Sequence, residues 1–537
     1  MSLQKPAPPR GEQPSPYLPA GPPEPQIFED FDGIYTTTSR PGVKDEQMYW
    51  CDGFMPIGKR LLRTMRGLGP ALYTTTAGIV SFFDFANIGA TPYMVVIRND
   101  GGIDIVATLT GVITNAAPAG TITNPSRATV GVSQYGSTYI IIVAQQANGY
   151  FLWNGTTFYK PGDAGPTGGT MPTGVGGTAV ETYQGRIWII NNATVIFGGA
   201  GAAYDFTTGN GGGNFTSTDS FLRVRFTALK QTNGFLYLIG DSSVNYISGV
   251  QSSGNAGAIT TTFTNQNADP EVGTPWGATP VVFSRNIVFA NPFGVQVSFG
   301  AAVTKISEPL DGVYNTVENF GSLLPSSAKA IIYGKKCFVL LLPIIDPVSG
   351  QQVNKLLLWD SKKWWASEQD SILTYIQFQE INSVLTAYGT DGTTIYPLFQ
   401  NPSNGFIKTV QSKLWDKPGS YHVTKASVRL WGMFKYFSAV SPNLAITIDN
   451  ETGSSAVATT LGPLTATWLT AIGAPATWHT AGGDDAAWSS AGNGIVILEP
   501  TAIAQNGRLS GITVQTVAAD MAIVSMMIQN EVIDYTG

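Results

Sequence analysis

Between residues 75 and 400 the apolar positions come in short runs rich in Val, Ile, Thr, Tyr and Phe. Gly, Asn, Asp and Pro break them up, and almost no stretch keeps a 3.6-residue apolar period over more than ten positions. Runs of this kind are strands. Examples lie at 138–143, 186–190, 235–239, 287–290, 336–342, 355–359 and 384–388.

The runs pair into units of strand, tight polar turn and strand. Residues 150–159 (YFLWNGTTFY) give one unit, 356–365 (LLLWDSKKWW) a second and 387–396 (AYGTDGTTIY) a looser third. Others join 184–189 to 194–197, 234–238 to 244–247, and 285–289 to 294–298. Their turns use Asn, Asp, Gly or Ser, which tolerate positive φ. A recurrence of roughly 35–50 residues is the spacing of propeller blades. The pattern predicts an irregular β-propeller of six or so blades over 76–415, with a large sandwich as the alternative. Polar, Gly-rich stretches near 200–220 and 249–280 interrupt the rhythm as insertions; long inserts of this kind are usually functional loops or disordered ones.

Strict alternation returns at the C-terminus, in 422–432, 443–449, 494–498, 507–514 and 522–528. It predicts a β-sandwich over 420–537. Trp468, Trp478 and Trp488 recur at ten-residue spacing in a Gly/Ala/Thr-rich stretch; a tryptophan-packed turn accounts for them, with stacking on sugars as the alternative. At the other end, residues 1–26 hold nine prolines. Proline fixes φ and donates no backbone hydrogen bond, so 1–27 reads as an extended Pro-rich arm, either a free tail or a strap along a neighbouring subunit. A leader or assembly segment, 28–75, connects it to the first blades. The expected fold class is therefore all-β: a propeller, a C-terminal sandwich and an extended N-terminal arm.

Composition narrows the function classes. Charged residues make up 12% of the 537 residues, with 30 Lys+Arg against 36 Asp+Glu and a net charge of −6. An ordinary soluble domain carries about 25%. There is no global cationic field for gripping nucleic acid. Two histidines and two cysteines cannot build a disulfide scaffold or a Cys/His zinc site, and Cys51 and Cys337 are expected to be reduced and buried. No cofactor is expected. The longest apolar stretches are strand-length, short of the ~20 residues that cross a bilayer, and no signal-peptide pattern opens the chain. The expectation is a soluble chain, synthesised in a cytoplasm and without a membrane anchor.

Four cations, Lys59, Arg60, Arg63 and Arg66, fall within eight residues and form the one sizeable basic cluster of the sequence. They read as a solvated or salt-bridged assembly face, or else as a polyanion contact. The sequence lacks a nucleophile elbow, phosphate loop, dinucleotide fingerprint or His-Glu-x-x-His helix. His422 and His479 have no ligand-spaced partner. Carboxylates close in sequence (Glu29, Asp30 and Asp32; Asp100 and Asp104; Asp484 and Asp485) are the candidates for a glycosidase pair, although neighbours of this kind usually serve turns. No catalytic residue is assigned, and the chain is read as not an enzyme.

Four features together resemble the tail nozzle, or packaged-DNA stabilisation, proteins of short-tailed bacteriophages. They are the basic, Gly/Pro-marked leader from Gly58-Lys59-Arg60 to Gly69-Pro70; the irregular propeller; Val244-Asn245-Tyr246-Ile247-Ser248-Gly249, followed forty residues later by Ser284-Arg285-Asn286-Ile287-Val288-Phe289; and a sandwich after Lys425-Ala426-Ser427-Val428. Asn245 stands where that family commonly has an acid. The resemblance covers about 28–537 and leaves out the arm and the tryptophan stretch. It implies a virion protein that forms a homo-hexameric tube below the portal and adaptor, retaining packaged genome and guiding its ejection. Its partners would be the portal–adaptor, tail fibres or spikes, a tail plug, and double-stranded DNA passing without sequence recognition. The rival reading is a carbohydrate-binding or glycoside-cleaving propeller, which requires exposed aromatics beside carboxylates in one cleft.

Overall fold

A computed structural model describes residues 25–58, 60–216, 225–298, 302–320, 323–402, 405–416, 423–437, 443–460, 478–479, 485–486, 495–517 and 520–535. Among them the regular structure is strand, with two three-residue 3-10 turns and no α-helix; no described helix is long and apolar enough to cross a membrane.

Seven four-stranded antiparallel meanders follow one another along the described chain. They span 80–117, 130–159, 179–216, 226–269, 281–305, 326–367 and 375–397, and are termed blades 1 to 7. The first strand of each blade packs against the first strand of the next, and that of blade 7 (Tyr375–Ile381) packs against that of blade 1 (Val80–Ile88). The ring is closed, so this is a β-propeller, and it has seven blades. Six of them, blades 2 to 7, hold a unit read from the sequence; blade 1 does not, and blade 7 takes its fourth strand from elsewhere. The two-residue strand Tyr73–Thr74, just before blade 1, pairs with Thr394–Pro397.

The local chemistry explains the blades. In blades 3 to 7 the first hairpin closes on two residues that both have positive φ: Gln184-Gly185, Asn233-Gly234, Ser284-Arg285, Tyr333-Gly334 and Asn382-Ser383. Paired left-handed residues make a type I′ turn, whose twist matches the flanking strands. Each sheet is clamped between two neighbours, so its second strand is buried on both faces and reads as an unbroken apolar run rather than an alternation. Ile140 to Val143, Leu238-Ile239 and Phe338 to Leu342 are all fully buried.

The C-terminal domain is built from both ends of the described chain. One sheet runs Phe54–Pro56, Leu62–Thr64, Met521–Tyr535, Val423–Tyr436, Ile495–Gly507, with Gln26–Phe28 also pairing Met521–Tyr535. The leader is therefore part of this sandwich rather than a separate segment. The other sheet continues blade 6 through Trp50–Asp52 to Ile407–Gln411, Gly511–Val517, Asn443–Asp449 and Ser454–Thr460, nine strands in all. The strand Ile407–Gln411, expected in the propeller, belongs here. Phe28, Phe54, Leu430, Phe434, Ile446 and Ile523 share one core with blade 6 residues Phe338, Leu340 and Trp364. Cys51 and Cys337 are free and buried, and burial pushes both thiols up, Cys337 to about 12.

The insertions at 200–220 and 249–280 are largely ordered and meet each other. Blade 4 extends into the long hairpin Val244–Ser253 and Thr260–Asp269, whose Phe263 sits edge-on to Trp188 and Phe197 of blade 3. Arg186, 1% exposed, donates to the carbonyls of Gly198 (2.7 Å) and Gly211 (2.8 Å) and to Ser252 Oγ. One buried guanidinium thus ties both insertions to blade 3. The Pro-rich arm (1–24 of it), Trp468, Trp488 and His422 lie outside the described residues. Trp478 and His479 form a two-residue strand with Asp485–Ala486.

Candidate functional site at the propeller–sandwich junction

The strand Trp50–Asp52 is where propeller and sandwich join. It pairs in parallel with Trp364–Ser367 of blade 6 through Asp52 and Ala366, and antiparallel with Ile407–Gln411 of the sandwich. Lys355 enters from the blade 6 strand Gln352–Trp359, and its side chain is fully buried. Nζ lies 2.6 Å from Asp52 Oδ2 and 3.2 Å from Asp346 Oδ2, and is ion-paired with Glu368 Oε1. Asp346 is fixed by a turn, its Oδ1 accepting the amides of Val348 and Ser349 at 2.9 Å.

The electrostatics follow from burial. Desolvation pushes Asp52 up to about 6, against the pull of Lys355, while Glu368 and Asp346 push it further; its Oδ1 has no partner. Burial also acts to raise Asp346, but Lys355 and the two amides win and hold it below the usual carboxylate range. For Lys355, burial acts to neutralise the ammonium, and the three carboxylates outweigh it and raise its pKa. The donor oxygens of Asp52, Asp346 and Glu368 lie within 4.8 Å of one another, close enough for a cation, and the ammonium of Lys355 is that cation. The group is a pin between domains.

Two arginines reinforce it. Arg40 donates to Ser412 O (2.7 Å) and pairs with Asp449 at 2.7 Å, tying the leader to the nine-stranded sheet. Arg63 makes a bidentate pair with Asp520 (2.7 and 2.5 Å) and lies over the rings of Phe437 (3.9 Å) and Tyr333 (4.9 Å).

The predicted cationic cluster is accordingly dispersed. Arg63 is consumed inside the fold, which removes it as a polyanion contact. Arg66 is half-buried, with a buried Nε that has no partner, and its carbonyl accepts from Gln369 at 3.5 Å. Arg60 is exposed and pairs with Glu29 (3.1 Å) and Asp30 (3.6 Å). Lys59 lies outside the described residues. A one-dimensional run of charge could not reveal that alternate positions of Leu62–Thr64 face the core. Lys355 and Arg40 were missed; the available signal was a lysine heading an apolar run, Lys355-Leu356-Leu357-Leu358, within the strand Gln352–Trp359.

The candidate carboxylate pairs are structural as well. Asp100 and Asp104 both pair with Arg98 (3.2 and 2.6 Å), and Tyr73 donates to Asp104 at 2.6 Å. Asp32 pairs with Lys363, and Asp484 lies outside the described residues.

The propeller axis is narrow. First strands from all seven blades, with Asp84, Lys230 and Tyr375 among their side chains, and Arg127 from the connection before blade 2 line a cavity holding about 100 Å³ of free volume. Burial pushes Asp84 up to about 6 and raises Glu181, and Lys230 pulls both back. That volume holds only a few water molecules, each taking about 30 Å³, and leaves no room for a duplex.

No protein-family model and no curated protein matches the chain. Among solved structures, it is similar to the β-propeller domain of Cps50 (Swd1) from Myceliophteria thermophila, at 11% identity over 61% of this chain and 99% of that one, with a TM-score of 0.35. BBS1N in its complex with ARL6DN is similar at 9% identity, 62% and 98% coverage and a TM-score of 0.38. U3-55K gives 9%, 62%, 98% and 0.36. Likenesses this distant carry no argument; the propeller is established by the pairing of its own strands.

Proposed function

We propose that this chain is a non-catalytic structural subunit of a virion, the tail nozzle of a short-tailed bacteriophage, acting as one copy of a hexameric tube that retains and releases DNA. The observation that carries the reading is the unbroken nine-stranded sheet joining propeller to sandwich through Trp50–Asp52. A tube stacked under a portal needs subunits that do not flex between domains, and a shared sheet pinned by Lys355 supplies that stiffness. The axial channel is too small for a duplex, so any DNA path lies between copies and not through a propeller. A low-charge lining suits that path, because each phosphate neutralised strengthens retention. The portal–adaptor, fibres or spikes and a plug are the expected neighbours, and the virion the expected location.

Native mass measurement and negative-stain imaging of the purified chain test this. A ring near six times 57.0 kDa is expected. A stable monomer at micromolar concentration that does not assemble on an adaptor ring overturns it.

A further inference from the structure

A cleft of about 730 Å³ opens between blades 2 and 3, within the range of about 300–1,000 Å³ typical of small-ligand sites. In antiparallel blades the turn after the first strand and the turn after the third emerge at the same end. That end of blade 2 presents Tyr135 and Tyr139, which face each other across the hairpin. The same end of blade 3 presents the 198–212 connection, with Tyr204, Asp205 and Phe206 in the cleft wall. The remaining wall is the Gly/Thr-rich connection between the two blades, including Thr167 and Gly168.

The walls are fixed before any ligand arrives. Tyr204 Oη accepts the amide of Thr167 at 3.2 Å and donates to Gly168 O at 2.7 Å, locking one loop to the other. Tyr150 donates to Ala203 O beneath them and holds Phe206 edge-on at 5.2 Å. The loops also brace themselves, Met171 N to Asp163 O at 2.8 Å and Gly199 N to Asp205 O at 2.8 Å. Asp205 is held by Thr207, whose amide and hydroxyl donate to Oδ1 at 2.9 and 2.7 Å, and by Asn210, which donates to Oδ2 at 2.6 Å. Of the roughly four lone-pair sites of a carboxylate, these occupy three. Tyr139 is half-buried, and no described residue hydrogen-bonds its hydroxyl.

We infer that this cleft is a binding site for a neutral oligosaccharide. Tyrosine rings offer apolar faces to sugar C–H groups, while the Tyr139 phenol, the remaining lone pair of Asp205, threonine hydroxyls and glycine backbone bond the hydroxyls; the Tyr135 phenol is already taken up by Gly185 O at 3.1 Å. No lysine or arginine is among the described residues that line the cleft, which disfavours sulfated, phosphorylated or uronic acid sugars. Preorganised walls lower the ordering cost of binding. This inference goes beyond the nozzle reading and does not depend on ring formation.

An array of neutral, acidic and aminated glycans probed with the full chain, followed by saturation-transfer NMR on the strongest neutral hit, tests it. Binding of a neutral oligosaccharide is expected. Tyr139→Ala should weaken it at least about tenfold and Tyr139→Phe markedly less, with melting temperatures unchanged for both. Asp205→Asn should weaken it as well. The inference fails if no neutral glycan binds the folded chain, if Tyr139→Ala leaves affinity unchanged, or if trimethylammonium compounds bind in place of sugars.

Discussion

Blades 1 to 5 and the C-terminal sandwich solve the same problem, burying strands, with opposite chain geometry. In a blade such as 130–159, each strand pairs with the next in sequence. In the sandwich, Gln26 pairs with Ile528 and Leu62 with Ile523. Local pairing closes short loops at little entropic cost, whereas pairing Gln26 with Ile528 closes a far longer loop at a greater one. The propeller is thus locally specified. The sandwich is specified by its partners, and the pin at Lys355 is where the two meet.

The strongest way to break that division is Lys355→Met, which removes the ammonium and leaves three carboxylates facing one another. Losing one side of a buried ion pair typically costs about 3–5 kcal/mol. The sandwich is expected to unfold at lower urea than the blades, turning a shared transition into two, as followed by hydrogen exchange on Val423–Tyr436 against Tyr139–Ala144. Loss of both regions together would mean that the propeller depends on the sandwich.

A gentler probe is pH. Asp52 is raised from 3.8 to about 6 in the folded chain, so folding favours its protonated form. Its contribution is complete below its unfolded value and is lost as pH rises through about 6. Stability of the sandwich should therefore decline between roughly pH 4 and 6, and Asp52→Asn should flatten that slope. Asp84 shifts the same way on the propeller axis, so Asp84→Asn should flatten the slope for the blades alone. A wild-type slope unaltered by either substitution would contradict the burial account.

The smallest expected effect lies in the blade turns. Arg285 holds φ at 67°, where a side chain costs roughly 1–2 kcal/mol, partly offset by the freedom a glycine has when unfolded. Arg285→Gly should stabilise by about 0.5 kcal/mol, read as a higher denaturant midpoint at unchanged slope. A loss of stability would show that the arginine side chain contributes more than its backbone strain removes.

The same contrast explains what could be read from the sequence. The hairpins 150–159, 285–298 and 387–396 were legible because turn residues and apolar runs sit side by side, and the sandwich strands because they alternate. The closing strand of blade 7 was not, since Tyr73–Thr74 is two residues long and finds its partner more than three hundred positions away. Neither was the membership of the leader in the sandwich, because Trp50–Asp52 looks like any short buried strand until Ala366 and Val410 flank it. The basic cluster misled for a related reason: charge in sequence does not reveal that Asp520 waits for Arg63. The cleft was foreshadowed only as a requirement, aromatics beside a carboxylate, whereas Tyr139 and Asp205 come from different blades.

The crossing of the chain between its two domains has a consequence for lineage and engineering. The backbone enters the sandwich, leaves after Leu62–Thr64, makes the whole circuit of the ring and comes back at Ile407–Gln411. In those terms the sandwich is the host and the propeller its guest, inserted between two neighbouring positions of a single β-domain. A graft between those two strands has to keep blade 6, whose four strands carry the shared sheet and whose Lys355 meets Asp52; the other blades are the part that can be exchanged without altering how the molecule is mounted.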